Sequence, residues 1–350
     1  MPRTVALRCD GGPDVGVGHV VRCLAIAEEL VGRGAHAVLL GSLDGVDWVR
    51  RAFDELGVPV RPAAPDPHGL LRQVREAGAT GVVLDGYGLS PQIGSTLMGA
   101  GLGVLAIVDG PWGADQVADV YVDQNLGAAP LPEHPGARQL LGLEHALLRN
   151  AVLHHRRNPQ TVADTGDADG RARPVRVLTV FGGTDAMGAS PLLTPLVLAT
   201  GRPVQVVAIA ARADVRQVLE GLRPAPGQQM EVRTPDANLP ALAATCDLAV
   251  TAAGTSVWEF LCQGLPCAVV QVVDNQAVGY ERVIGEGLAV GLGRLADIAD
   301  DEEARTRALG RLDGILGDAA RRESLTRRGM RLVDGLGRAR VVDALMQHMQ

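Results

Sequence analysis

His19 combines a reactive side chain with a place where it can be used. It closes the segment DGGPDVGVGH at 10–19, in which Gly16 and Gly18 permit close backbone approach, and an apolar helical run follows at once. A neutral imidazole at such a helix mouth can take a proton from water or a hydroxyl, and the positive end of the helix dipole keeps it neutral. The plain alternative is an ordinary first-turn histidine, because a lone pair of glycines is weak evidence. Arg22 lies one turn further along the same run.

Three other loops have the composition of anion or sugar sites. Gly182, Gly183, Thr184 and Asp185 follow one apolar run, and Gly254, Thr255 and Ser256 follow another, just before a helical stretch carrying Trp258 and Glu259. Glycines expose backbone N–H groups, hydroxyls add donors, and a helix N-terminus supplies positive potential, so each loop can cradle a pyrophosphate without lysine. Tight strand-to-helix turns would look the same. Glu259, one turn in, can accept two bonds from a ribose diol, or it can be a solvated helix carboxylate. Asp274, Asn275 and Gln276 form the last loop, whose amides can donate to sugar hydroxyls or phosphate, while a helix cap competes as the explanation.

These loops require strands to carry them. Apolar runs at 4–9, 36–40, 81–84, 103–108 and 120–122 alternate with helical stretches, the βαβ rhythm of a parallel sheet. A polar, charged stretch at 154–174 then reads as a linker. The rhythm restarts at 176–181, 203–210, 247–253, 266–273 and 288–292. The expected organisation is therefore an N-terminal Rossmann-like domain over 1–153, the linker at 154–174, and a C-terminal Rossmann-like domain over 175–335. The Arg-rich end is helical, and its last piece, 336–350, is a helix that can cross back to the first domain. Open parallel sheets bind ligands at the carboxyl ends of their strands, which is where all four loops fall.

Composition narrows the chemistry. The 350 residues include 40 acidic and 33 basic ones, for a net charge of −7, and every basic residue is arginine. No lysine Schiff base and no P-loop lysine can operate, and an acidic chain without a basic run argues against nucleic acid as partner. Cys9, Cys23, Cys246, Cys262 and Cys267 form no CxxC pair and read as reduced core thiols. The start, TVALRC, shows no basic region before an apolar stretch, and no later run of about 18 apolar residues suggests stable membrane insertion. A cytoplasmic protein is expected. The residues carry no sign of its oligomeric state.

Taken together, several motifs carry a resemblance. RCDGGPDVGVGHVVRCLAIAEEL, LDGY at 84–87, VADVYVDQN at 117–125, GLEHALLR at 142–149, VFGGTD at 180–185 and CDLAVTAAGTSVWEFLCQGLP with the later DNQ resemble the UDP-sugar hydrolases of pseudaminic acid biosynthesis (PseG) and the spore-coat polysaccharide proteins akin to them (SpsG), relatives of MurG. The likeness runs along nearly the whole chain. It implies a GT-B fold, two Rossmann-like domains facing each other across a cleft, with the nucleotide held mainly by the second and the sugar meeting loops of the first. His19 would be the catalytic base. Gly254, Thr255 and Ser256 would hold pyrophosphate, with Gly182, Gly183 and Thr184 on the same phosphate side, and Glu259 would bind ribose. Gly16, Gly18, Arg22, Asp85, Tyr87, Asp109, Asn125, Asn275 and Gln276 would form the sugar side.

The implied reaction is inverting attack of water on the anomeric carbon of a UDP-sugar, with no metal and no cofactor required. An inverting glycosyltransferase with a soluble acceptor is the alternative, and a non-catalytic nucleotide-sugar binder is a third. Cytidine nucleotides suit the same loops. The chain departs from the family where paired aspartates give way to Asp109 and Gly110, where a tyrosine gives way to His145, and where Pro-Glu-Phe gives way to Asn150, Ala151 and Val152. All three departures lie in the sugar-facing half, so the expected sugar need not be the family's 2,4-diacetamido-trideoxyhexose.

Overall fold

A computed structural model describes residues 3–12, 15–110, 112–158, 173–183, 185–235 and 238–349. The chain divides into two compact units, one formed by residues 1–150 and 335–350 and the other by 151–334. Most of the 154–174 stretch read as a linker lies outside the described residues. Its first residues belong to the second unit, where Arg156 donates to the carbonyls of Met330 (2.8 Å) and Val333 (2.7 Å).

In the first unit the strands β1 (Thr4–Arg8), β2 (His36–Leu40), β3 (Val60–Arg61), β4 (Gly81–Leu84), β5 (Gly103–Ile107), β6 (Val120–Asp123) and β7 (Arg138–Leu141) form one sheet in the order 3-2-1-4-5-6-7. Every pairing is parallel. Helices α1 (Gly18–Gly32), α2 (Asp47–Glu55), α3 (Pro67–Glu76) and α4 (Gln92–Gly99) connect the strands, and the short α5 (Asn150–His154) begins at the last residue before the second unit. β4 and β5 along their length, and β1 through its middle three residues, are apolar because both faces are covered, as a parallel sheet demands.

The second unit repeats the plan. β8 (Val175–Val180), β9 (Val204–Ile209), β10 (Gln229–Arg233), β11 (Leu248–Ala252), β12 (Cys267–Gln271) and β13 (Ala289–Arg294) form a parallel sheet in the order 10-9-8-11-12-13. Its helices are α6 (Ala189–Ala199), α7 (Ala213–Glu220), α8 (Leu239–Ala244), α9 (Ser256–Gln263), α10 (Ala277–Gly285), α11 (Leu295–Asp300), α12 (Glu302–Gly317) and α13 (Ala319–Leu332). All five cysteines are buried free thiols, as their apolar settings led us to expect.

The last helix, α14 (Gly337–Gln347), belongs to the first unit and packs on α1. Val341, Val342, Ala344 and Leu345 join the core formed by Leu24, Ala27 and Leu30 of α1. A side chain at Gly103 would come within 2.8 Å of the His348 carbonyl, so glycine is needed where the end of the chain crosses the amino end of β5. No helix among the described residues is long and apolar enough to cross a membrane.

Candidate functional site

In the first sheet the strand order reverses between β1 and β4, and the chain leaves these two strands in opposite directions. That divergence opens a crevice at their carboxyl ends. The loop after β1 is built for it. Asp10 accepts from the Ser42 backbone N–H (2.9 Å) and from Arg8 (2.7 Å), while Gly12 and Gly16 exchange backbone hydrogen bonds of 3.2 and 2.8 Å. Gly16 has φ +76°, which closes this turn and lets Gly18 open α1. Val17, at the cap position, supplies no side-chain acceptor to the first turn.

His19 therefore enters the crevice from the first turn of α1, and Asp85 enters it from the residue after β4. The imidazole Nδ1 lies 2.6 Å from Asp85 Oδ1. Arg22, three residues along α1, grips the same carboxylate through Nε to Oδ2 (2.9 Å) and Nη2 to Oδ1 (2.7 Å). Its Nη2 also approaches His19 Nδ1 to 2.8 Å. A guanidinium can only donate, yet a bare Nδ1 would set its lone pair against the carboxylate oxygen. A proton on Nδ1 satisfies the shorter contact, so Nδ1–H donates to Asp85, Arg22 Nη2 donates to Asp85 Oδ1 and not to the ring, and the lone pair sits on Nε2. Among the described residues Nε2 has no hydrogen-bond partner.

Burial raises the Asp85 carboxyl, but the Arg22 charge and the bonds from His19 and Arg22 outweigh it and hold the group below its ordinary range. Burial likewise works against the Arg22 charge, and Asp85 and Asp109 more than restore it. Both partners are thus ionised although they are 1% and 5% exposed.

Asp109, just beyond β5, extends the network. It accepts from Arg22 Nη1 (3.0 Å), Tyr87 Oη (3.2 Å) and Asn125 Nδ2 (3.4 Å). Burial, opposed by bonds from Asn125, pushes the neighbouring Asp123 carboxyl up. Tyr87 meets the His19 ring edge-on at 4.3 Å and Trp112 at 4.5 Å. His19 is only 4% exposed, whereas Tyr87 and Trp112 are 46% and 45% exposed, so the imidazole lies under a half-open aromatic rim. Trp112 was absent from the sequence expectation. Its signal is a lone tryptophan in DGPWGAD, a loop after a strand, and a backbone bridge to Asp109 holds it there.

Six of the expected sugar-side and catalytic residues, His19, Arg22, Asp85, Tyr87, Asp109 and Asn125, are therefore joined by direct contacts. Gly16 and Gly18 shape the adjoining loop. Asn275 and Gln276, expected near the sugar or phosphates, lie in the second unit beside its Gly254 turn.

In that unit the order reverses between β8 and β11, and the two glycine loops flank this point. Gly182, with φ +69°, and Gly183 are exposed, while Thr184 lies outside the described residues. Asp185 sits in the left-handed region at φ +49°, and its carboxylate accepts from the backbone N–H groups of Ala189 (2.8 Å) and Ser190 (2.9 Å). A side chain thus already fills the anion position at the start of α6.

The start of α9 differs. Thr255 provides no side-chain cap, and Ser256 opens the helix. A Cβ placed on Gly254 would meet only Gln276 Nε2, at 3.8 Å. Gln276 Oε1 accepts from the Val272 N–H (2.9 Å), which leaves the amide nitrogen toward Gly254. Asn275 is exposed beside it, and Asp274 pairs with Arg294 at 3.1 Å. Glu259 is half-buried one turn into α9. The N–H groups of Gly254, Val257 and Trp258 bond to backbone carbonyls, and those of Thr255 and Ser256, beside a bare glycine and a carboxamide at the start of α9, make this the anion-receptive end of the sheet.

No family model matches the chain. Over 103 residues it is 33% identical to the spore coat polysaccharide biosynthesis protein SpsG of Bacillus subtilis, a match covering 29% of this chain and 29% of that protein. MurG of Acinetobacter baumannii superposes with a TM-score of 0.70 at 16% identity, over 99% of this chain and 100% of that one. UDP-GlcNAc 2-epimerase from Neisseria meningitidis, solved with UDP-GlcNAc bound, gives a TM-score of 0.65 at 10% identity, over 98% and 100% of the two chains.

Proposed function

Starting from a chain that has the GT-B fold and a segment similar to SpsG, we propose that it hydrolyses a UDP-sugar, releasing UDP and the free sugar. The observation that carries this reading is the His19–Asp85 pair, which leaves Nε2 as a basic atom without a hydrogen-bond partner among the described residues at the switch point of the first sheet. Water deprotonated by Nε2 attacks the anomeric carbon while the bond from that carbon to the diphosphate oxygen breaks. The oxygen keeps the bonding electrons, the water proton passes to His19, and attack opposite the leaving group inverts the anomeric centre. Asp85 holds the tautomer and offsets the imidazolium as it forms.

The diphosphate is assigned to the Gly254, Thr255 and Ser256 turn together with Gly182, Gly183 and Thr184, and the ribose to Glu259. Charge developing on the leaving oxygen is then met by backbone N–H groups and a helix N-terminus. UDP is favoured because a protein of the same fold holds UDP-GlcNAc. Arg22, Asp85, Tyr87, Asp109 and Asn125 are assigned to the sugar side, within a cytoplasmic enzyme.

A second reading, an inverting glycosyltransferase with a soluble acceptor, is favoured by the exposed Tyr87 and Trp112 rings, which offer an acceptor a surface beside His19. Incubating the protein with a panel of UDP-sugars separates the readings. Release of UDP without an acceptor, with fresh sugar of inverted anomeric configuration by proton NMR, supports hydrolysis. Turnover only when a sugar acceptor is added overturns it in favour of transfer, and UDP binding without any turnover leaves a binding protein.

A further inference from the structure

The second unit contains a cavity of about 800 Å³ that no loop of the proposed site enters. Its walls come from α10, from the first half of the edge strand β13, and from α12 and α13. Three guanidinium groups, those of Arg311, Arg321 and Arg328, face it across apolar surface from Ile284 and Leu325.

On α12 and α13, Arg307 pairs with Glu303 (3.3 Å) and Arg327 with Glu323, whereas Arg305 and Arg322 donate to backbone carbonyls. Asp313 is likewise committed to Arg202 at 2.5 Å. Among the described residues Arg311, Arg321 and Arg328 make no ion pair. Arg311 donates to the Gly291 carbonyl (2.8 Å) and Arg328 to the Glu286 carbonyl (3.2 Å), contacts that orient each fork and leave most of its five donors unused. Glu281 is the only carboxylate in the lining, so the side chains around the cavity carry a net charge of plus two in a protein whose overall charge is negative.

The backbone preserves this space. A Cβ on Gly287, whose φ is +62°, would come within 2.3 Å of Arg328 Nη1, and a Cβ on Gly291 would strike Ile284 at 2.2 Å. Three like charges gathered around one cavity repel one another, though water screens them where they are exposed, and an anion between them relieves that repulsion. Planar forks with spare donors match phosphate oxygens in pairs, and the apolar wall suits the body of an ester. We propose that this cavity is a second ligand site, for a small soluble phosphorylated anion, independent of the diphosphate turn at Gly254.

Inorganic pyrophosphate titrated calorimetrically into the intact protein tests it, with and without saturating UDP. The expected result is an isotherm that persists in UDP, weakens at least tenfold in Arg311→Gln/Arg328→Gln, and weakens severalfold in Arg321→Gln. UDP affinity should stay unchanged in these variants. Arg50→Gln, an exposed arginine of the first unit, should alter nothing. All three cavity arginines are exposed, so unfolding temperatures should match wild type and loss of binding cannot come from loss of fold. Pyrophosphate binding that UDP abolishes, that ignores the arginine substitutions, or that does not occur overturns the proposal. Failure of UDP itself to bind would strike the hydrolase reading and leave the arginine dependence to be judged separately.

Discussion

His19 Nδ1 donates to Asp85 Oδ1 across 2.6 Å, joining the first turn of α1 to the residue that follows β4. Because Arg22 holds both oxygens of that carboxylate from the other side, the carboxylate has little freedom to turn away. The bond fixes which ring nitrogen carries the proton, and that fixes what the histidine can do.

Asp85→Asn keeps the shape, removes the charge and turns one of the two accepting oxygens into a donor. An amide can present N–H to Nδ1 and favour the wrong tautomer, so kcat should fall by about 10²- to 10⁴-fold with KM nearly unchanged. Steady-state kinetics check this. A fall confined to KM would contradict the tautomer role.

Arg22→Met leaves Asp85 buried without its counter-charge and Asp109 without one partner. Breaking a buried pair costs about 3–5 kcal/mol. The urea midpoint should drop accordingly, whereas Arg50→Met, at an exposed position, should shift it by less than about 0.5 kcal/mol.

Acid stability follows from the direction of the Asp85 shift. Its folded value is depressed, so its contribution is complete above the unfolded carboxyl's value, about 3.9, and is lost as pH falls through the lower folded value. The stability gap between wild type and Asp85→Asn should therefore be constant from pH 7 to 5 and close toward pH 2. Chemical unfolding at stepped pH measures it, and a gap that widens in acid would count against the assignment.

Gly254→Ala separates folding from ligand binding. The nearest atom to the new methyl is Gln276 Nε2 at 3.8 Å, an ordinary contact, so the unfolding temperature should hold. A phosphate approaching the backbone would meet the methyl, and UDP affinity should weaken about tenfold, or 1.4 kcal/mol. Calorimetry decides, and unchanged affinity would remove this turn from the site.

Trp112→Ala removes the outer ring of the aromatic rim. Such a ring contact contributes about 0.5–1.5 kcal/mol, so KM for the UDP-sugar should rise severalfold while the dissociation constant of UDP alone stays put. Equal losses for both ligands would place Trp112 outside the sugar side.

Much of this architecture is legible before any coordinates. Doubly buried strands announce themselves as apolar runs, so His36–Leu40 and Gly81–Leu84 coincide with the expected segments. β3, β7 and β10 escape notice because they lie at sheet edges, where one side of the strand faces water and sequences such as QMEVR alternate. At the site, His19 and the Gly254 turn stand out because loop chemistry is local. The bond to Asp85 spans 66 residues, and no spacing rule reaches that far, so the carboxylate entered only through a resemblance. Asp185 shows the opposite error, since a residue read within a phosphate cradle caps its own helix.

Turnover of a UDP-sugar by His19→Ala is the most direct measurement of the central claim. With UDP affinity and unfolding temperature retained, acceptor-independent UDP release should fall at least 10²-fold below wild type. Release at the wild-type rate would show that Nε2 of His19 is not the base, and the proposed mechanism would have to be abandoned.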